Sequence, residues 1–157
     1  TPRIETSNEK KLVGKRLAMS FANFRIEELW RSFMPRRSEI TNNLTSDLIS
    51  LVVYKPTHFT DFKLTNEFER WATVEVANFE NVPVGMETFV LPEGLYAVFH
   101  YKGLSTDNSI FQYIFGTWLP GSEYLLDDRP HFEVLGDKYK NNDPASEEEI
   151  WIPIQPK

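Results

Sequence analysis

The sequence predicts one α+β domain made of two similar halves, each an antiparallel sheet with one helix, and three observations support this. The 157 residues are enough for one ordinary domain, whereas two independent domains would be cramped. Seven segments have the apolar pattern of β-strands, and two have the three-and-four spacing of amphipathic helices. The two helical segments resemble each other and follow equivalent strands. We therefore expect residues 1–157 to form a single domain, with one repeat over about 1–80 and another over about 84–157.

The predicted strands alternate polar and apolar residues, or run apolar with many β-branched side chains. In chain order they are 14–22, 47–54, 71–78, 86–89, 96–102, 131–136 and 150–154. Glycine and proline residues between 83 and 94 indicate the connection between the two halves.

Two helices interrupt these strands, over 26–34 and 108–119, and Pro35 and Pro120 follow them. Without gaps, LWRSFMP at 29–35 aligns with IFGTWLP at 114–120, as apolar, aromatic, spacer, hydroxyl, aromatic, apolar, proline. Proline follows many helices, so coincidence is the alternative, but the shared order strand, helix, strand, strand favours duplication. In each half, the helix would cover one face of the sheet and leave the other face bare. The two bare faces would then be buried against each other, with a groove between the halves.

The composition excludes several classes of function. The chain has no cysteine, so it has no disulfide, thiolate metal site or cysteine nucleophile. Its net charge of −6 disfavours direct binding to nucleic acid. No apolar run approaches the roughly 20 residues that cross a bilayer, and the first residues lack a signal-peptide pattern, so we expect a soluble, cytoplasmic protein. Aromatic residues make up 14% of the chain, and such residues line pockets for organic ligands.

Because strand residues alternate between faces, the most aliphatic set of each strand is assigned to the helix side and the other set to the groove. The residues assigned to the helix side are Ile49, Leu51, Val53, Ala72, Val74, Val76, Phe132, Val134, Ile150, Ile152 and Ile154. The alternate residues assigned to the groove include Tyr54, Trp71, Glu75, His131, Glu133 and Trp151.

Glu133 is the most informative of these residues, because a carboxylate in a short strand among aromatics loses much of its hydration and needs a partner. No lysine or arginine lies on the adjacent predicted faces, and Glu75 is a second acid there. A ligand cation would supply the missing charge, and the rings of Tyr54, Trp71, Trp118 and Trp151 would add cation–π attraction. The alternative is that Glu133 lies on a solvated edge or pairs with Arg129 or Lys138.

His131 precedes Glu133 by two residues on the same predicted face. This arrangement is compatible with either a metal site or an acid–base pair. No two histidines have the helical spacing of a metalloprotease, so we predict no metal and no cofactor. The acidic run at 146–149 is interpreted as a solvated turn before the last strand.

The second half contains a longer string that resembles a known family. It comprises GLYAVFHYKG at 94–103, WLP at 118–120 with Ser122 and Tyr124, FEV at 132–134 and EIWIPI at 149–154. This string is similar to the gyrase-inhibitor-like (GyrI-like) small-molecule-binding domain, which also forms the effector-binding half of some AraC-type and MerR-type multidrug-responsive transcription regulators. The first half is similar to the family's weaker first repeat.

The resemblance implies a pseudo-twofold pair of strand-helix-strand-strand modules with the ligand between them. It also implies that the glutamate of the Phe-Glu-Val strand, here Glu133, contacts cationic drugs. Some members of the family only bind ligands, and others are hydrolases that open strained cyclopropane rings of genotoxic natural products. No helix-turn-helix pattern precedes the domain, so we expect a stand-alone form.

Three functions are compatible with the sequence. The first is a binding protein that senses or sequesters a small cationic or aromatic organic ligand. The second is a hydrolase in which Glu133 or Glu75 is the catalytic carboxylate that activates water and a tryptophan or tyrosine positions an electrophilic aromatic substrate. The third, which is weaker, is an interaction module whose partner is an unidentified enzyme or DNA-binding protein.

Overall fold

Nine β-strands and two α-helices make up the computed structural model, which describes residues 1–157. The strands are β1 (Arg3–Ser7), β2 (Lys10–Met19), β3 (Leu48–Tyr54), β4 (Phe68–Val76), β5 (Glu87–Leu91), β6 (Gly94–Lys102), β7 (Tyr124–Leu126), β8 (His131–Leu135) and β9 (Glu147–Pro156). The helices are α1 (Ile26–Phe33), which continues into a 3-10 turn (Met34–Glu39), and α2 (Ser109–Tyr113), which continues into a π-helical turn (Ile114–Trp118). None of these helices is long and apolar enough to cross a bilayer.

Antiparallel pairing joins the strands into one sheet of order β5-β2-β4-β3-β8-β9-β6-β1, and β7 pairs with β9 beside it. From either edge toward the middle, the sheet contains an edge strand, then the strand that precedes a helix, then two strands that follow that helix. The two halves meet where β3 pairs with β8. The predicted α+β class, with antiparallel strands and two helices, is confirmed.

The edge strands of the two halves are exchanged. The strand β1 comes first in the sequence but pairs with β6, whereas β5 pairs with β2. Two strands, β1 and β7, were not predicted, because β1 (RIETS) is a largely exposed edge strand with little apolar alternation and β7 has only three residues. The last strand begins at Glu147 rather than at 150, and β4 begins at Phe68 rather than at 71.

The sheet has apolar cores on both faces. One core contains Leu29 and Phe33 of α1, and another contains Ile114 of the π-helical turn, so both helices cover the same face. On the opposite, helix-free face a third core draws residues from both halves: Leu12, Ile49, Leu51, Trp71, Leu91, Tyr96, Val98 and Phe132.

The assignment of faces in β3 and β8 from aliphatic content was therefore wrong. Ile49, Leu51 and Phe132 belong to the core of the helix-free face, and Val52 packs in the core beneath α1. In β3, whose sequence is LISLVVY, both alternate sets are apolar, because both faces of this central strand are covered. Aliphatic content cannot distinguish two faces that are both buried. The assignment of Ala72 to the helix side and of Trp71 to the other side is confirmed.

Candidate functional site

The candidate site lies on the helix-bearing face, where the central strands β3 and β8 meet. In the register of the sheet, Ser50 pairs with Glu133 and Val52 pairs with both His131 and Arg70, so all of these side chains lie on one face. The Arg70 guanidinium lies 3.7 Å from Glu133 Oε1. It also donates a hydrogen bond of 3.1 Å to Ser50 Oγ.

Arg70 corrects the expectation that no cation lies near Glu133. Its side chain is 13% exposed and that of Glu133 is 21% exposed, so the pair is largely removed from water. Arg70 was missed because the predicted strand began at residue 71, whereas β4 begins at Phe68 and includes Arg70. Its alternation with Ala72 places it on the helix side, which is also the face that Glu133 occupies.

Glu148 is a second carboxyl group at the site, and the sequence patterns did not single it out. It is 8% exposed and alternates with Ile150 and Ile152 on the helix-bearing face of β9. The interpretation of residues 146–149 as a solvated turn was therefore wrong. Extending the alternation of Ile150, Ile152 and Ile154 by one more step would have found Glu148.

The two carboxyl groups share one environment. Burial, followed by the adjacent charge of Glu133 and a hydrogen bond with its carboxylate, raises the pKa of Glu148 to about 9. Glu148 Oε2 is buried and has no hydrogen-bond partner, so the ionised form of this carboxyl group is poorly solvated. The site therefore holds one guanidinium and two carboxyl groups with a proton between them.

Aromatic rings enclose the space above these acids. The ring of Phe59, from the loop between β3 and β4, stacks on His131 at 6.0 Å and on Phe115 at 5.8 Å, and Phe115 lies 6.1 Å from His131, so the three rings form a triangle. Tyr54 meets His131 edge-on at 5.0 Å. Phe115 belongs to the π-helical turn, a distortion that often occurs at functional sites. Phe59, which is 43% exposed, thus packs from the first half of the chain against two rings of the second half.

The titratable rings of the site are uncharged. Burial lowers the pKa of His131 to about 3, and the charges of the nearby His58 and Arg70 act in the same direction. Burial likewise raises the pKa of Tyr54. At neutral pH, His131 therefore presents an aromatic face rather than a positive charge to the site.

A cluster of aromatic rings continues from the site along the β3–β4 loop around His58. This histidine is 2% exposed, neither ring nitrogen has a hydrogen-bond partner, and burial lowers its pKa. The rings in contact with it are Phe21, Tyr54, Phe59, Phe62 and Phe68. The cluster holds the loop that carries Phe59 against the sheet.

Three of the residues predicted to surround Glu133 lie on the opposite, helix-free face. Trp71 is 3% exposed and packs against Phe89 at 5.2 Å. Trp151 stacks on Phe132 at 5.1 Å. Glu75 lies 3.8 Å from Lys10. The arrangement predicted around Glu133 was wrong for these residues, because Glu133 occupies the helix-bearing face.

Trp118 is on the helix-bearing face but packs beneath the second helical segment. It contacts Phe99 edge-on at 5.2 Å and stacks on Tyr124 at 6.4 Å. Of the predicted set, the structure therefore brings together Glu133, His131 and Tyr54.

A separate cavity of about 320 Å³ lies at the end of α1, away from these residues. It is lined by Met34, Arg37, Ser38, Ile40, Asn43 and Val74, and none of the predicted site residues contributes to it. No three histidine, aspartate or glutamate side chains come together in a way that could hold a metal ion.

Residues 3–154 match the model of a family described as Cass2, the integron-associated effector binding proteins. The chain belongs to this family. The transcriptional regulator BrlR of Pseudomonas aeruginosa is 30% identical over 134 residues, which cover 82% of this chain and 46% of BrlR. The chain thus spans about half the length of this relative. The predicted resemblance to GyrI-like effector-binding domains is confirmed.

Solved structures share the fold. SAV2435 bound to tetraphenylphosphonium superposes with a TM-score of 0.72 at 15% identity, over 99% of this chain and 94% of that one. EcmrR in its complex with DNA superposes with a TM-score of 0.73 at 15% identity, over 100% of this chain and 58% of that one. At these identities the likeness shows the fold alone.

Proposed function

We propose that this chain binds a bulky organic cation on the helix-bearing face, between the two halves, with Glu133 as its principal polar contact. The observation that carries the proposal is the composition of this site. Two carboxyl groups and one guanidinium lie at its floor, and neutral aromatic rings form its walls. A delocalised cation would gain both charge pairing and cation–π attraction there.

Phe59 covers this site from the loop between β3 and β4. Its ring packs against both Phe115 and His131, as a flat aromatic group of a ligand would. Binding then consists of moving this ring aside, and Tyr54, His131 and Phe115 provide the surfaces onto which ligand rings stack. Tetraphenylphosphonium, to which SAV2435 is bound in its structure, has this chemistry and supports the choice of a lipophilic cation as the probe.

A matched pair of ions tests the proposal. Isothermal titration with tetraphenylphosphonium is expected to show saturable binding, whereas tetraphenylborate, which has the same shape and the opposite charge, is expected not to bind. Equal binding of both ions, or of neither, would contradict the proposal.

Glutamate variants locate the site. Glu133→Gln is expected to weaken tetraphenylphosphonium binding at least about tenfold, because a desolvated charge pair is lost. Glu75→Gln is the control, since Glu75 lies on the helix-free face beside Lys10, and it is expected to leave the affinity unchanged. If Glu75→Gln lowered the affinity and Glu133→Gln did not, the ligand would bind on the helix-free face, which would contradict the proposal.

The relatives suggest how a bound ligand is used. BrlR is a transcriptional regulator of which this chain covers 46%, so we propose that ligand occupancy is passed to a DNA-binding segment or partner. The net charge of −6 disfavours direct contact of this domain with DNA. An electrophoretic mobility shift with the isolated chain is expected to show no binding to duplex DNA, with or without tetraphenylphosphonium.

A hydrolase is the second candidate, and the acid pair favours it. A protonated Glu148 beside the Glu133 carboxylate is the arrangement that general acid–base catalysis uses. In the ring opening of an activated cyclopropane, Glu133 would take a proton from water as the new C–O bond forms. Glu148 would deliver its proton as the ring C–C bond breaks. Mass spectrometry after incubation with a cyclopropane-bearing alkylating agent tests this candidate, and hydrolysis no faster than in buffer would eliminate it.

A further inference from the structure

The position of Glu148 in the site suggests that its carboxyl group takes part in ligand binding together with Glu133. In β9 it pairs with Tyr101 of β6, and its side chain lies with those of Ile150 and Ile152 on the helix-bearing face. It is 8% exposed, and its Oε2 accepts no hydrogen bond. A buried carboxyl group without donors has no stable ionised form unless a positive charge comes near.

The charged and titratable groups that face Glu148 come from each element packed against it. Glu133 lies on β8, Arg70 on β4, Tyr101 on β6 and Tyr139 on the loop after β8. Arg70 is the one cation among them, and it lies 3.7 Å from Glu133. With a single guanidinium, the two carboxyl groups hold one proton between them and the site is neutral.

We infer that Glu148 is a second ligand-binding acid, which carries a proton in the free protein and releases it to solvent when an organic cation binds. This inference rests on the proposed function. It says that the same site adjusts its own charge to the charge of the ligand.

The exchange balances in charge and in atoms. The free site holds the Arg70 guanidinium, one carboxylate and one carboxylic acid. A monocation enters, the O–H bond of Glu148 breaks, the proton leaves to solvent, and two carboxylates then face two cations. Retaining the proton would leave the ligand and Arg70 to share a single carboxylate in a poorly hydrated site.

Two measurable consequences follow. About one proton is released for each ligand bound, and the affinity rises by about tenfold for each pH unit over the range in which Glu148 is protonated when free. Neither is expected of a cation that pairs with Glu133 alone.

The test is isothermal titration of the full chain with tetraphenylphosphonium at pH 7.5, in buffers that differ in their enthalpy of ionisation. Wild-type protein is expected to release about one proton per ligand. Glu148→Gln is expected to abolish this release and to bind about tenfold more weakly. Glu149→Gln is the matched control, since Glu149 is adjacent in sequence but lies on the other face, paired with Arg3 at 2.8 Å. It is expected to leave the release unchanged.

A second measurement needs no ligand. Because the folded protein holds the Glu148 proton over a pH range in which the unfolded chain has lost it, the stability attributable to Glu148 falls as pH rises from 5 to 8. The stability gained by Glu148→Gln over wild type in urea unfolding should therefore widen across this range, whereas that of Glu149→Gln should not.

The outcomes separate this inference from the proposed function. Saturable binding without proton release, or a Glu148→Gln effect on stability that is independent of pH, overturns the inference and leaves the cation site standing. Absence of tetraphenylphosphonium binding together with a pH-dependent effect of Glu148→Gln overturns the proposed function and the ligand role of Glu148. Proton release that persists in Glu148→Gln assigns the proton to another group and overturns the inference.

Discussion

Arg70 and Glu133 meet across the central strand β3, although 63 positions separate them in the sequence, and they bring a cation to 3.7 Å from the acid at the floor of the site. Arg70 comes from the first half of the chain and Glu133 from the second. The pair therefore exists only because the two halves are joined where β3 pairs with β8. If the proposed function holds, a cationic ligand that enters the site competes with Arg70 for the same carboxylate.

Arg70→Gln is expected to raise the affinity for tetraphenylphosphonium about tenfold, because the competing guanidinium is removed. The same change should lower the free energy of unfolding by about 2 kcal/mol, because two buried carboxyl groups lose their only nearby cation. Isothermal titration and urea unfolding measure the two effects.

Arg16→Gln is the control, since Arg16 pairs with Glu69 and Glu87 at a side-chain exposure of 47%. It should leave stability nearly unchanged, because solvent-exposed ion pairs contribute little. Weaker binding by Arg70→Gln would mean that Arg70 supports the ligand rather than competing with it.

Phe59→Ala is expected to speed ligand association several-fold, because the ring that packs against Phe115 and His131 no longer has to move aside. Stopped-flow measurement with a fluorescent cation such as ethidium gives the rate. Phe62→Ala is the matched control from the same loop, because Phe62 contacts Phe21 and His58 instead. An equal acceleration by both variants would indicate a general loosening of the loop rather than a specific effect of removing the Phe59 ring.

His131 is expected to make the protein sensitive to acid. Burial lowers the pKa of His131 to about 3, whereas the unfolded chain takes up this proton near pH 6.5. Between these two values the unfolded chain holds more protons, so the stability attributable to His131 is complete above pH 6.5 and declines as pH falls. The limiting slope is about 1.4 kcal/mol per pH unit. His131→Phe should remove this slope in urea unfolding between pH 6.5 and 5, whereas His100→Gln, at a solvent-exposed position, should retain it.

Gly14→Ala is expected to destabilise the fold by at least about 2 kcal/mol. Gly14 lies in β2 between β4 and β5, and an added Cβ would collide with the backbone carbonyl of Ala72. Gly116→Ala is the contrasting change, since its Cβ would meet no atom within 4 Å and alanine favours helix by about 1 kcal/mol. Thermal unfolding of both variants measures the difference. A Gly14→Ala protein as stable as wild type would mean that β2 is free to move away from β4.

The order of the main elements and the choice of Glu133 as a candidate site residue followed from the sequence alone. Hydrophobic periodicity located both helical segments and seven of the nine strands, because amphipathic elements carry their period in their own residues. The FEV string singled out Glu133. The local alternation also placed Trp71 and Trp151 correctly on the face away from the helices.

Only the tertiary structure decided which residues surround Glu133. The central strands of this sheet are covered on both faces, so the residues of β3 do not reveal which set faces the helices, and a wrong choice moves every side chain to the opposite side. Arg70 reaches Glu133 through the pairing of β3 with β8, which are distant in sequence, and Glu148 reaches it through the pairing of β8 with β9. Such pairings depend on the register of the whole sheet, and no local pattern records them. The sequence thus determined most of the elements and the candidate residue Glu133, and the junction of the two halves determined which residues surround it.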